Sequence, residues 1–232
     1  MIDVLVDGKF IEIVMFYWLF VYFTKQLAYK YINRYRDIRK LESNSFTFMV
    51  ISPDFWLSKY FKIQISQNEP SKKGKLIELY NQVNLSLSVF IFCSLIVVSS
   101  RWGIYDFMKT LVVLRCVSRS LEIAYAFLID VIYEKTSTSG LDKFQRIRLA
   151  LSSYVEIYFL YASLYFVRDI PQAPILGGVE ALVKSFSVGT FTNVSEALVC
   201  KSPVFSLLVY GQIFTTLILV LMSLAIYVGR GE

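Results

Sequence analysis

The sequence predicts an all-α membrane protein with four transmembrane helices, a re-entrant loop between the last two, and a small cytoplasmic N-terminal region. Apolar residues make up 56% of the chain and charged residues only 18%, whereas about a quarter of an average soluble domain is charged. The apolar residues also cluster. Residues 79–100 and 202–229 contain no charge, and residues 149–167 contain only Glu156.

Each of these runs is long enough to span a bilayer, because about 20 helical residues cross a hydrocarbon core of roughly 30 Å. A fourth, weaker run covers residues 110–133 and contains Arg115, Arg119, Glu122 and Asp130. We therefore predict transmembrane helices at about 82–100, 108–133, 148–167 and 204–228.

The N-terminal apolar stretch, residues 11–24, is shorter than a span and contains Glu12. Its length favours an interfacial or buried helix over an additional crossing, and both interpretations stay open. The basic residues 25–43 predict a helix. The alternating residues 45–52 and 60–66 predict a short strand pair.

The placement of Lys and Arg predicts the orientation in the membrane. Both are frequent in residues 1–78 and in the loop between the second and third predicted helices, within a chain of net charge +6. Positive loops stay in the cytoplasm, so we predict a multi-pass protein of the inner (cell) membrane with cytoplasmic termini. If residues 11–24 cross, the N-terminus moves outside. The predicted units are a regulatory region (1–78), a helix pair (79–134) and a C-terminal module (145–232).

Composition disfavours enzymatic and metal-binding functions. Histidine is absent, which removes the usual general base and a common zinc ligand. Cys93, Cys116 and Cys200 are far apart in sequence, and no P-loop, nucleophile-elbow or zinc-protease motif occurs. We predict no catalytic residues, no metal site and no cofactor.

Charges within the predicted spans need partners, because a charge at membrane depth is costly. Arg115, Arg119 and Glu122 lie on one helix face. We predict that they form an intramembrane ion-pair network with Glu156, in preference to a voltage sensor, which requires more arginines. In the last helix, Gly211 is either a bending point in a helix whose hydroxyls face water or a site of small-residue packing.

Basic residues alternate with tyrosines after the first apolar stretch. This pattern is typical of single-stranded nucleic-acid binding and equally of contact with anionic lipid, and from the pattern alone lipid contact is the commoner meaning. The candidate ligand residues are Lys25, Tyr29, Lys30, Arg34, Tyr35, Arg36, Arg39 and Lys40.

The linker between the last two predicted helices is too long for a simple hairpin and too apolar for a free loop. It begins with a Pro- and Gly-containing turn, continues with a short helix expected to start near Gly178, and ends in a Thr-, Ser- and Asn-rich stretch. This order predicts a re-entrant loop facing a wet cavity. The alternative is an extracytoplasmic loop folded on a helical bundle.

Residues 186–197, FSVGTFTNVSEA, resemble the pore loop of tetrameric potassium-channel-type proteins. Five residues fall on matching positions, namely Phe186, Ser187, Thr190, Thr192 and Val194. Where that family has Gly-Tyr-Gly, this chain has Ser195-Glu196-Ala197, so no narrow potassium filter is expected. The resemblance implies a homotetrameric, weakly selective cation path. Its lining would be Thr190, Thr192, Asn193, Ser195 and Glu196, with Gly211 as gate hinge.

The layout as a whole also resembles the HalB channel effectors of bacterial Hailong anti-phage systems. That resemblance implies that short single-stranded DNA, made by a partner nucleotidyltransferase, keeps the channel shut, and that opening depolarises the membrane during phage infection. The residues in 25–40 would then contact DNA. The alternative function is a non-channel membrane sensor or scaffold subunit that binds a cytoplasmic protein.

Overall fold

The computed structural model describes residues 8–32, 52–65, 70–98, 102–132, 141–169, 173–198 and 203–229. Within these ranges all regular structure is helical, so the predicted all-α class is confirmed for this part of the chain. The helices are α1 (Gly8–Ile32), α2 (Pro53–Gln64), α3 (Pro70–Val98), α4 (Trp102–Ile132), α5 (Lys143–Asp169), α6 (Pro174–Gly189), α7 (Val194–Leu198) and α8 (Pro203–Gly229).

Among the described residues, four helices are long and apolar enough to cross a membrane, which is the composition of a multi-pass membrane protein. These candidate spans are Phe10–Ile32, Ser71–Val98, Phe144–Asp169 and Pro203–Leu221. The number of candidate spans agrees with the prediction, but one of the four is a different helix. The predicted helix 108–133 lies in α4, which is not a candidate span because Lys109, Arg115, Arg119 and Glu122 interrupt it.

The candidate span that the sequence argument disfavoured is α1. It continues past Thr24 to Ile32, so its full length is sufficient for a crossing, and whether residues 11–24 cross stays a prediction. Its exposed face carries apolar residues at every fourth position, and its buried face is also apolar. A helix that is apolar on both faces is typical of a membrane segment. The exposed residues include Ile11, Met15, Leu19, Phe23 and Leu27, and the buried ones include Ile13, Tyr17 and Val21.

The predicted strand pair is wrong where the structure describes it, because residues 60–64 belong to α2. Proline is favoured in the first helical turn, and Pro53 begins this helix, with the acidic Asp54 beside it. Leu57, Phe61 and Ile65 then recur every four residues and are buried together. The apolar residues recur at helical spacing, and this pattern outweighs the β propensity of the individual residues. Residues 45–51 lie outside the described ranges.

Helix α5 lies at the centre of the bundle and contacts α3, α4, α6 and α8. In its most apolar stretch 72% of the residues are buried, against 22% in α1. The paired residues show the directions of its neighbours. Asn81 of α3 bonds the carbonyl of Leu149, and Phe92 of α3 packs on Phe166, so α3 and α5 run parallel. Helix α4, which connects them, therefore returns along the bundle.

The contacts of α1 with α4 show the direction in which α1 runs. Phe16 packs on Phe107 near the start of α4, and Lys25 pairs with Glu122 farther along it. Helices α1 and α4 are therefore parallel to each other and antiparallel to α3 and α5. Helix α8 also opposes α5, because Tyr165 near the end of α5 contacts Phe205 near the start of α8.

Glycines allow α6 to approach its neighbours closely. A Cβ on Gly189 would lie 2.4 Å from Cε1 of Tyr158, and one on Gly178 would lie 2.6 Å from Cδ1 of Ile96. The tyrosine ring is rigid, whereas Cδ1 is the flexible end of the isoleucine side chain. These contacts fix α6 against α5 and α3.

We expect Gly189→Ala to destabilise the folded protein by about 1–3 kcal/mol, the usual cost of overpacking a filled core. Gly178→Ala should cost less, because Ile96 can change rotamer. Thermal unfolding in detergent micelles measures both changes. Equal stability of the two variants would contradict the close approach at Tyr158.

Candidate functional site

The most unusual feature of the bundle is a network of buried charges around α4. Arg119 is only 3% exposed, and its Nε and Nη2 donate to the two carboxylate oxygens of Glu156, each at 2.7 Å. Its Nη1 pairs with Glu122. Bidentate arginine–carboxylate pairs are among the strongest hydrogen-bonded contacts in proteins. The structure thus brings together three of the residues that the sequence placed in one network.

The fourth predicted member, Arg115, has different partners. Its Nη1 donates to Oδ1 of Asp54 at 2.6 Å, and its Nη2 donates to Oδ1 of Asn84 at 2.7 Å. Asp54 also accepts hydrogen bonds from Tyr17 and Ser118. Asp54 was not predicted as a partner, because it lies between residues 45–52 and 60–66, which were predicted to form a strand pair. The available signal was the acidic residue after Pro53, which is typical of a helix start.

Two of the predicted ligand residues are buried and need correction. Lys25 is 3% exposed, with Nζ 3.2 Å from Oε1 of Glu122, 2.7 Å from Oγ of Ser58 and 4.6 Å from the ring centroid of Tyr80. Tyr29 is also 3% exposed, and its ring stacks on Phe61. Neither side chain is open to nucleic acid or lipid in this structure. Lys30 is exposed, and residues 34–40 lie outside the described ranges.

Opposite charges pair throughout this network. Three cationic and three anionic side chains form its ion pairs, each with an opposite charge within 4 Å, because an uncompensated buried charge is strongly destabilising. Lys62 of α2 also interacts electrostatically with Glu122. Burial alone would raise the pKa of Asp54, but the Arg115 guanidinium and the Lys25 ammonium outweigh it and hold this pKa below its usual value. The six residues are Lys25, Arg115, Arg119, Asp54, Glu122 and Glu156.

The network lies level with the middle of two candidate spans. Asn84 is central in Ser71–Val98 and Glu156 is central in Phe144–Asp169. Charges at such depth normally pair with one another. This position explains why the charged α4 runs along the bundle: its polar face contacts protein.

A second polar junction joins α5, α6 and α8. Tyr165 donates to Oε1 of Gln212 at 2.7 Å, and Nε2 of Gln212 donates to the Ser185 carbonyl at 2.8 Å. The Ser185 hydroxyl donates to the Tyr158 carbonyl at 2.8 Å. Gln212 is fully buried, so these bonds satisfy a side chain that would be costly to leave unpaired.

The surroundings of Gly211 agree with the packing alternative. A Cβ there would lie 3.3 Å from the Tyr161 hydroxyl, and α8 runs unbroken through this position. The buried hydroxyls of Thr215 and Thr216 donate to carbonyls of their own helix, at 2.8 Å to Gly211 and 2.9 Å to Gln212. They do not face water in this structure. A gate hinge at Gly211 stays a prediction.

The predicted pore loop, residues 186–197, comprises the end of α6, a capped turn at residues 190–193 and most of α7. Helix α6 begins four residues earlier than expected. The Thr190 hydroxyl donates to the Phe186 carbonyl at 2.9 Å and the Thr192 hydroxyl to the Ser187 carbonyl at 3.2 Å. Phe191 has φ 61°, the left-handed conformation that closes many helix C-termini. Three candidate lining residues are exposed, namely Thr192, Asn193 and Ser195. The Glu196 side chain lies outside the part that the structure describes.

Contacts with α5 locate this turn along the bundle. The Gly189 carbonyl accepts a hydrogen bond from Tyr154 at 3.3 Å, in the middle of α5. The Ala197 carbonyl accepts one from Arg168 at 3.2 Å, at the end of α5. The chain therefore runs along half of α5 in α6 and comes back in the following eight residues.

Fold and site together define a multi-pass helical membrane protein with a buried network of ion pairs and an exposed polar turn. No protein-family model, curated protein or solved structure matches the chain. Among the described residues no group of three or more His, Cys, Asp or Glu side chains could hold a metal ion.

Proposed function

We propose that this chain is one subunit of an oligomeric, weakly selective cation channel that is gated by a cytoplasmic ligand. The observation that carries the proposal is the exposed polar turn at residues 190–193, which directly follows Gly189, and Gly189 lies level with the middle of the candidate span Phe144–Asp169. Exposed polar groups at that depth are tolerated only against water or protein. They would otherwise face lipid.

The alternating helix directions support a membrane topology in which α1, α3, α4, α5 and α8 all cross. With the basic loop between α4 and α5 in the cytoplasm, α5 runs outward, α6 re-enters from the outer side, and α8 ends in the cytoplasm. Residues 33–51 and 66–69 are then assigned to the cytoplasmic side, α2 packs inside the bundle with Asp54 at the level of Asn84, and the start of α1 lies outside. The contacts of Gly189 and Ala197 with α5 support a re-entrant pore loop in this arrangement.

The chemistry of the turn favours cations. The C-terminus of a helix carries a partial negative charge, and α6 ends at this turn. The hydroxyls of Thr190 and Thr192 add oxygen atoms, and Glu196 adds an acidic residue. Without the Gly-Tyr-Gly backbone of potassium filters, selectivity among cations is weak. One chain supplies only one side of such a path, so a closed ring is required, and we propose a homotetramer.

The ligand part of the proposal rests on the basic residues that remain after the correction of Lys25 and Tyr29. Lys30 is exposed at the end of α1, and the segment that follows continues the alternation of basic residues and tyrosines. Charge and stackable rings in that order favour single-stranded DNA. Bound oligomers would keep the channel closed, and their loss would open it and depolarise the cell as an anti-phage response. The remaining residues are Arg34, Tyr35, Arg36, Arg39 and Lys40.

Purified protein in planar bilayers is expected to conduct cations with little preference for K⁺ over Na⁺. Glu196→Gln should lower the preference for cations over anions, because it removes the acidic group from the path. Reversal potentials in asymmetric KCl measure this change. Glu180→Gln, at an exposed position on α6, is the matched control and should leave them unchanged.

Native mass measurement decides between this proposal and the alternative of a sensor or scaffold subunit. A tetramer supports the channel. A folded monomer that passes no current in bilayers would contradict it and favour a subunit that binds a cytoplasmic protein.

A further inference from the structure

The carboxylate of Asp54 is enclosed by donors from two other helices. Nη1 of Arg115 lies 2.6 Å from Oδ1, and the hydroxyls of Ser118 and Tyr17 donate to Oδ2. Nζ of Lys25 lies 3.9 Å from Oδ1. These four groups come from α1 and α4, whereas Asp54 belongs to α2. We call Tyr17, Lys25, Arg115 and Ser118 the Asp54 cradle.

The cradle has the composition of an anion site. All four of its side chains are at least nine-tenths buried, and Asp54 itself is fully buried. Two members are cationic and two are hydroxyl donors, which are the groups that recognise carboxylates and phosphates. Without Asp54, the three cations of these ion pairs would have only two carboxylates as partners, those of Glu122 and Glu156.

Arg115 has donor capacity beyond its present partners. Its two terminal nitrogens bond Asp54 and Asn84, while its buried Nε has no hydrogen-bond partner among the described residues. Unsatisfied buried donors commonly mark a position for water or an ion. The cradle is thus equipped for an anion and is filled by one that its own chain provides.

Helix α2 inserts this anion as part of a short docked element. It has 12 residues, and it contacts α1 and α4 through a polar face as well as through Leu57 and Phe61. On that polar face, Ser58 accepts a hydrogen bond from Lys25 and donates to Glu122. The Ser52 hydroxyl bonds the Ser118 carbonyl at 3.0 Å. Among these contacts, Asp54 is the one anionic group that α2 contributes.

We propose that the Asp54 cradle is a carboxylate-class anion-binding site, with Asp54 as its built-in occupant holding α2 in place. A small carboxylate from solution then takes the site when the Asp54 side chain is removed. This inference does not depend on ion conduction, so it stands or fails separately from the channel proposal.

The test is chemical rescue of full-length Asp54→Ala in detergent micelles with sodium formate, against sodium chloride at equal ionic strength. Formate is expected to raise the thermal midpoint saturably, by about 3 °C at concentrations several times its Kd, because it binds the folded state. Tryptophan emission gives a second readout of the docking of α2, since the ring centroid of Trp56 on α2 lies 6.1 Å from that of Trp18 on α1. Formate should return the emission toward the wild-type spectrum.

Three controls make the result specific. The wild type should not respond, because its cradle is filled, and Asp54→Ala combined with Arg115→Gln should not respond, because the main donor is gone. Asp142→Ala removes an exposed carboxylate at the start of α5 and should not respond either. If Asp54→Ala is unfolded without formate, the readout becomes the yield of folded protein. An equal response in all variants, or no rescue at any formate concentration, would overturn the proposal.

Discussion

Glu156→Gln is expected to destabilise the folded protein by about 3–5 kcal/mol, the usual cost of removing one partner from a buried ion pair. The carboxylate of Glu156 is fully buried and accepts two hydrogen bonds from Arg119. Without the Glu156 carboxylate, the Arg119 guanidinium keeps only Glu122 as an ion-pair partner. Glu122 already forms an ion pair with Lys25. The bundle would then carry an excess positive charge at the middle of a candidate span, where water cannot solvate it.

Unfolding in mixed micelles, followed by tryptophan fluorescence, measures this free energy. Glu180→Gln makes the same chemical change at an exposed position and should stay within about 0.5 kcal/mol of the wild type. The double variant Arg119→Gln/Glu156→Gln should recover part of the loss, because it removes both charges. If Glu156→Gln is as stable as its control, Glu122 alone neutralises Arg119 and the bidentate pair contributes little.

The Arg119–Glu156 pair shows what the sequence was able to predict. Arg119 needs a partner at membrane depth, and Glu156 is the only charged residue in the apolar run 149–167, so it stood out as that partner although it is 37 residues away. The partners of Arg115 had no such signal. Asp54 lies outside every predicted span, and Asn84 is one of several uncharged polar residues in its span.

The same reason explains Lys25. The sequence treated this residue as the end of the apolar stretch 11–24 and as a residue available to a ligand. In the fold, Glu122 and Ser58 pair with and bond this lysine, so it is buried within α1, which runs to Ile32. Tertiary pairing, which the sequence does not show, removed Lys25 from the exposed basic residues. For α6, by contrast, the sequence predicted a helix between the last two spans, and only its start was displaced, to Pro174.

Replacing Arg34, Arg36 and Arg39 together with Glu is expected to abolish the binding of short single-stranded DNA, lowering affinity at least about 100-fold. Each arginine that contacts a phosphate releases a counterion, so three contacts contribute roughly 2 to the slope of log affinity against log salt. Fluorescence anisotropy with a labelled oligonucleotide, measured at several salt concentrations, gives both quantities. Reversal of three exposed lysines elsewhere controls for net charge. These are Lys59, Lys75 and Lys109.

Lys25 is the matched comparison for these arginines, because it is also basic but lies in the buried network. It is enclosed by Glu122, Ser58 and Tyr80, so Lys25→Gln should destabilise the fold while the folded fraction keeps its DNA affinity. A loss of affinity in folded Lys25→Gln would mean that α1 turns this side chain outward to bind ligand. Unchanged affinity in the triple Glu variant would mean that the assignment of nucleic-acid contact to residues 25–40 is wrong, and would leave anionic lipid as the contact of this segment.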